Sequence, residues 1–421
     1  MPPLNGKPGP VWRGLDFIRR QQRDWKVTVT RTSSHRFFYQ MVFPYLFVYT
    51  VALGATATQL GIINSIGMGI AGIVSPFAGW LIDRIGTKKI YLIGITLVAI
   101  AYFTYGVAQS WPIIIIALTA YWLGDTTSIH SCATICANSL GNAERATGMA
   151  FCETLTAGLL GMVGPMLGAI LVTSFGGVNV NGIRPLFFIT LAGTLATFAL
   201  VLTQLQNRRW GERSQERPDI LKDFSQVFRQ GRNLKRWLII NSLVYLPHGM
   251  ILPFTQVFAH EIKGADQFVL GAMVTGMALT SLVLGIPMGR LADKIGRKKV
   301  LYLTAFLFWT SSLLLISAPN HAILIAAGAF QGFLFIYLPI SAAMTFELVP
   351  SEQMGRWLGI VRLFRMLGAA GLAYLAGAIW DHVGPQYLFL IAVALDAFIR
   401  IPLLIGMPET IRMRREPEIT E

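Results

Sequence analysis

The chain has 421 residues, is 54% hydrophobic and only 13% charged, and carries a formal net charge of +14 at pH 7. A soluble domain has roughly a quarter of its residues charged, so this balance excludes an ordinary soluble enzyme and points to a membrane protein. So basic a chain also raises nucleic-acid binding, a reading that the placement of the bases argues against.

A helix that crosses the hydrocarbon needs about 20 mostly apolar residues. On that rule twelve spans are predicted, at 36–56, 59–82, 89–109, 111–139, 144–174, 185–205, 236–260, 267–291, 299–317, 320–348, 355–379 and 385–406. Before them, residues 1–35 form a basic segment without an apolar core of signal-peptide length. It mixes Trp12, Leu15, Phe17, Ile18 and Trp25 with many bases, which suits either a helix lying on an anionic leaflet or a disordered tail. Further bases follow at Arg84, Lys88 and Lys89, at Arg145, along the partly amphipathic linker 206–235, at Arg290 to Lys299, at Arg356 and in the tail 407–421. All of these fall on alternate loops, and the opposite loops hold only Arg184 and Lys263. This positive-inside bias predicts that both termini and the linker are cytoplasmic. It accounts for the basicity with no nucleic-acid partner.

A motif recurs in the two halves, 36–205 and 236–406. Gly79 to Lys89 reads GWLIDRIGTKK and Gly289 to Lys299 reads GRLADKIGRKK. Gly79, Asp83, Gly86, Lys88 and Lys89 return in register as Gly289, Asp293, Gly296, Lys298 and Lys299. Gly61 likewise matches Gly271, and Met41 and Pro44 of span 1 match Met250 and Pro253 of span 7. Transporters built from related halves place substrate between them near the bilayer midplane. A proline within spans 1 and 7 is expected to bend each helix, either around a cavity or as a packing kink.

The doubled loop resembles the signature loop of the major facilitator superfamily, and the likeness covers about 36–406. It implies an all-α membrane protein of twelve transmembrane helices in two pseudo-symmetric six-helix halves. It also implies a monomer in the cell (inner or plasma) membrane that works by alternating access. In the family the motif carboxylate faces the start of a helix in the opposite half and holds the cytoplasmic side shut. Carried over, Asp83 would engage the start of span 11 near Arg356, and Asp293 the start of span 5 near Arg145. Gly79, Arg84, Gly86, Gly289, Lys294, Gly296 and Arg297 complete this gating set. Span 5 carries Gly161, Gly164, Pro165 and Gly168, which resembles the glycine-proline signature of drug–proton antiporters, with Ala169 standing where that signature has its last glycine. The mid-membrane Arg of many proton-coupled members is missing from span 4, where ALTAYWL precedes Gly124.

Charge within hydrocarbon costs roughly 2.5–3.5 kcal/mol on insertion scales, so each instance asks for a reason. Asp125 in span 4 and Glu153 in span 5 belong to one half, and Arg362 and Arg365 in span 11 to the other. An acid facing two cations across a cavity could exchange its counter-ion for a proton as access alternates. A static ion pair and an anionic substrate held by the two arginines are the competing readings. Asp396 and Arg400 lie one turn apart in span 12, and His130 reads as a packing residue. Tyr39, Tyr45 and Tyr49 in span 1, Asn241, Tyr245 and His248 in span 7 and Gln331 in span 10 are the candidate cavity wall. Cys132, Cys136 and Cys152 imply neither a disulfide framework nor a metal site.

These features point to proton-coupled export of a lipophilic or cationic small molecule, with membrane lipids and protons as the other partners. The alternatives are uptake or facilitated diffusion of a polar or anionic metabolite, and a non-pumping sensor or lipid-handling protein. No phosphate loop or nucleophile–base set appears, so neither an enzyme nor a cofactor is expected.

Overall fold

Inside a bilayer the backbone must bond to itself, so long apolar runs become helices. The structure, a computed structural model, describes residues 17–140, 160–206, 232–245, 249–349 and 354–410. Its helices are α1 (Arg23–Ala52), α2 (Ala57–Ile85), α3 (Thr87–Val107), α4 (Trp111–Ser139), α5 (Leu160–Ser174) and α6 (Val180–Gln204). The second half has α7a (Arg232–Leu243), α7b (Leu252–Val257), α8 (Gln267–Ile295), α9 (Arg297–Ser317), α10 (His321–Leu348) and α11 (Met354–His382). Finally α12 begins at Pro385–Leu395 and runs through a π-helical turn, Asp396–Arg400, to Ile401–Ile405. Among the described residues nine helices are long and apolar enough to cross a membrane. With α1, α5 and the two parts of α7 they make the twelve-helix fold.

The duplication is visible in the helix ends. The α2–α3 pair returns as α8–α9 with the same displacement at each boundary (57 to 267, 85 to 295, 87 to 297, 107 to 317). Local chemistry repeats with it. Thr56 caps α2 by accepting from the Gln59 amide, and Asp266 caps α8 by accepting from the Val269 amide; such a cap is worth about 1 kcal/mol. Between the paired helices Gly86 and Gly296 have φ of 105° and 110°, a region only glycine enters freely.

Two helices depart from expectation. First, α1 starts at Arg23 rather than at 36, so residues 23–35 are neither a surface helix nor a free tail. Trp25, Val27 and Val29 are buried against α3, α4 and α6. Asp24 accepts from the Gln206 amide at 3.0 Å, which satisfies the chain leaving α6. Arg31 is itself buried, and Trp25, Val27 and Val29 make the segment apolar enough to extend the span. Second, the paired prolines act differently. Pro44 is carried inside an unbroken α1, whereas in span 7 the turn residues Val244 and Tyr245 follow α7a, and the turn residue Ile251 precedes α7b, which has Pro253 in its first turn.

Among the described residues the halves meet mainly along three helix pairs. Helix α2 packs on α11, α8 on α5, and α7b on α1. The duplicated glycines make both long contacts possible: a methyl group on Gly61 would strike the α11 backbone at Ala373, and one on Gly271 the α5 backbone at Pro165. Asp381 at the end of α11 accepts from the Thr58 amide at 2.8 Å. Tyr45 and Gln267 tie the halves together by bonds from the Tyr45 hydroxyl to the Gln267 carbonyl and from the Gln267 side chain to Thr173.

Candidate functional site in the cavity between the halves

Helix α4 presents two different faces at mid-membrane depth. Tyr121, Asp125, Ser128 and Cys132 face α1. Trp122, Thr126 and His130, at i, i+4 and i+8, form a neighbouring stripe, which Arg362 of α11 meets at its centre. This division decides the fate of the expected cross-half ion pair.

On the α1 side, Arg31, His35, Tyr39 and Phe43 recur every fourth residue and so share a face. His35 Nε2 lies 3.9 Å from Asp125 Oδ1, within ion-pair range and longer than a hydrogen bond. The two side chains are only 11% and 20% exposed. Tyr39 stacks on Tyr121 with ring centroids 5.4 Å apart, and His35 stacks on both rings at 6.5 Å. Behind them the buried Arg31 donates to Ser128 at 3.3 Å and lies 4.9 Å from the centre of the Tyr91 ring.

Across the cavity the two arginines of α11 part company. Arg362 donates to the Thr126 hydroxyl at 3.3 Å and makes no ion pair with Asp125. Arg365 turns into its own half, where it donates to the Asn241 carbonyl at 2.9 Å and to Asn241 Oδ1 at 2.6 Å, with its guanidinium 5.2 Å from the centre of the Tyr245 ring. Neighbours three residues apart on a helix are separated by about 300°, enough to aim one at α4 and the other at α7a. The expected acid-with-two-cations constellation is therefore replaced by Asp125–His35 on one wall and Arg362–Thr126 bridging to the other.

Three expected wall residues are structural here. Tyr45 and Tyr49 are fully buried, and their hydroxyls donate to the carbonyls of Gln267 and Tyr105. Gln331 is buried and donates to Thr255. An aromatic stripe on a span buries where helices touch, and Tyr39 alone of the α1 tyrosines is partly exposed. Asn241 is buried as the anchor of Arg365, and Tyr245 is half-buried beside it. Glu153, Arg145 and His248 lie outside the described residues. Gly79 and Asp83 fall within α2 and Arg356 within α11, and their side-chain surroundings are likewise outside the described set.

The motif loops bond within their own halves. Arg297 bridges Asp293 at 2.6 Å and Glu347 of α10 at 3.1 Å. Glu409 accepts from the Arg297 and Lys298 amides, capping α9. Lys298 donates to the Ile405 carbonyl at the end of α12, and Lys88 makes the matching bond to Leu202 at the end of α6. Asp293 is 64% exposed, and among the described residues its partner is Arg297 of its own half. Lys294 and Arg84 lie in the last turns of α8 and α2. In α5, Gly161, Gly164 and Gly168 seat α1 against the helix, and Ala169 faces Gly271 of α8. The glycine missing from the α5 signature is thus supplied by the partner helix.

In α12, Asp396 and Arg400 form a buried bidentate pair, joined by the Trp309 indole, which donates to Asp396 at 2.6 Å. The sequence reading missed Arg31 and His35 because both sit in the basic N-terminal run, where a base is explained by topology. Their four-residue spacing with Tyr39 was the available signal.

Two related six-helix bundles, packed together through glycine-rich cross-half contacts and with buried charged groups where α4 meets α11, define a membrane transporter of duplicated architecture. The family model of the Major Facilitator Superfamily matches residues 32–259 and 237–417; the chain belongs to that superfamily. It is 25% identical over 404 residues to multidrug resistance protein MdtG of Escherichia coli O9:H4 (strain HS), covering 91% of this chain and 93% of that protein. Among solved structures, the nucleoside transporter NupG is similar with a TM-score of 0.74 at 14% identity, covering 91% of this chain and 99% of that one. The human organic anion transporter MFSD10 (TETRAN) gives 0.63 at 16% identity, covering 91% and 99%. These structural likenesses are to the fold. The chain is an integral membrane transporter and not an enzyme.

Proposed function

We propose that this protein exports lipophilic small molecules in exchange for protons by alternating access. The observation that carries the reading is the Asp125–His35 pair. Two groups that can each change charge by one proton face each other at 3.9 Å at mid-membrane depth, instead of a carboxylate locked to an arginine. A carboxylate held by Arg faces a fixed charge, whereas one beside an imidazole faces a group whose charge a single proton can change. Similarity to a multidrug resistance protein over nearly the whole chain supports export, and the stacked Tyr39 and Tyr121 give an aromatic wall suited to lipophilic bodies.

The positive-inside bias supports a cytoplasmic place for the termini and motif loops, and with it an extracellular place for the Gly61–Ala373 and Gly271–Pro165 contacts. Asp293 then serves the gate only in the outward-facing state, when the motif end closes and its carboxylate can reach the other half. A lipophilic rather than sugar-like substrate is supported by the stacked aromatic rings and by the commitment of Asn241 and Gln331 to protein partners.

The test uses purified protein in liposomes with an imposed pH gradient and a neutral lipophilic dye. Wild type is expected to move dye against its gradient at the expense of the proton gradient. Asp125→Asn is expected to abolish gradient-driven movement and retain exchange of dye for dye. Equal gradient-driven movement in wild type and Asp125→Asn would sink the coupling role.

A further inference from the structure

The charge around Arg362 says more about the substrate. Its side chain reaches from α11 to α4 between the halves, and among the described residues its one protein acceptor is the Thr126 hydroxyl at 3.3 Å. Its Nε is buried with no protein acceptor among the described residues. On the α4 stripe that Arg362 meets, the Trp122 indole nitrogen and the His130 Nε2 are buried and likewise without a protein partner among those residues. Among the described residues the acid on the same helix, Asp125, is on the adjacent face and directed to His35. A buried cation is costly unless an acceptor compensates it, and here the described protein supplies a single hydroxyl. Trp122 packs with Met68, Met366 and Tyr245, so an apolar and aromatic surface adjoins the unpaired donors.

We propose that the substrate is an amphipathic organic anion, with its acidic head docked between Arg362 and the Trp122–Thr126–His130 stripe and its apolar body against Trp122 and Tyr245. This rests on the reading of the cavity as the transport site and narrows the expected lipophilic or cationic compounds to one charge class. A lipophilic cation would face Arg362 and Arg365 with only Asp125, already shared with His35, to offset them among the described residues. Arg365 is held by Asn241 and sets the potential; it does not clamp the head group.

The experiment measures binding without any gradient, so it is independent of whether transport is proton-coupled. Full-length protein in lipid nanodiscs is titrated with 1-naphthoate, the neutral 1-naphthamide and the cationic 1-naphthylmethylammonium, by calorimetry. Naphthoate is expected to bind at least about tenfold more tightly than the amide, and the ammonium more weakly than either; a charge-assisted bond is worth roughly twice a neutral one. Arg362→Gln is expected to bring the naphthoate-to-naphthamide ratio to about one, and Arg362→Lys to restore part of it. Equal affinities for naphthoate and naphthamide in wild type, or tighter binding of the ammonium, would overturn the proposal, and neither depends on a variant folding. A ratio unchanged by Arg362→Gln in a protein with wild-type melting behaviour would overturn it too. Failure of gradient-driven transport with the naphthoate preference intact would reject proton coupling alone.

Discussion

The Asp396–Arg400 pair separates a structural charge from a functional one. Asp396 lies 11 residues into α12, about 16 Å along the axis at 1.5 Å per residue, half-way through a hydrocarbon core of about 30 Å. The two side chains are 10% and 5% exposed. One carboxylate receives both Arg400 bonds and the Trp309 indole bond, and the guanidinium lies 4.7 Å from the centre of the Tyr337 ring. Asp396→Leu leaves a guanidinium buried without a counter-charge, and Arg400→Met strands a carboxylate with one indole donor. Removing one partner of such a pair costs about 3–5 kcal/mol. Replacing both with apolar side chains removes the desolvation penalty along with the attraction. The double variant is therefore expected within about 2 kcal/mol of wild type, a coupling of several kcal/mol between the sites. Reversible unfolding in mixed micelles, followed by tryptophan fluorescence, gives all four corners of the cycle. Gradient-driven transport is expected to persist in the double variant. Additive losses, or single losses below about 1 kcal/mol, would refute the claim that α12 holds a buried, mutually dependent pair.

The remaining predictions concern the closure and the turns. Asp381→Asn weakens the bond to the Thr58 amide, a charge-assisted contact worth about 1.5–3 kcal/mol. Cysteines placed in the 53–56 and 383–384 turns should then become more reactive from the extracellular side; unchanged labelling would remove Asp381 from the closure. Gly296→Ala puts a side chain at a φ of 110° and is expected to lower stability by about 1–2 kcal/mol. Gly368→Ala, helical and with no described atom near its Cβ position, is expected to raise stability by up to about 1 kcal/mol. Thermal melts of both variants in detergent compare the two outcomes.

The bilayer makes much of this fold legible from composition. Spans must be helical and about 20 residues long, and basic loops must alternate, so twelve helices, two halves and the turn glycines Gly86 and Gly296 follow from residue types and spacing alone. Gly61 and Gly271 were visible as a repeated pair, although their use as cross-half seats was not. Tertiary structure decided what the buried polar groups meet. Asp125, Arg362 and Arg365 were found by their cost in hydrocarbon, but a helix turns about 100° per residue, so which neighbour each one faces depends on rotation and crossing geometry that periodicity does not carry. That rotation gives Asp125 to His35, Arg362 to Thr126 and Arg365 to Asn241. It also buries Tyr45 and Tyr49 while leaving Tyr39 partly exposed, and draws residues 23–35 into α1. Sequence determines where charge must be explained in a membrane; packing alone chooses the partner that explains it.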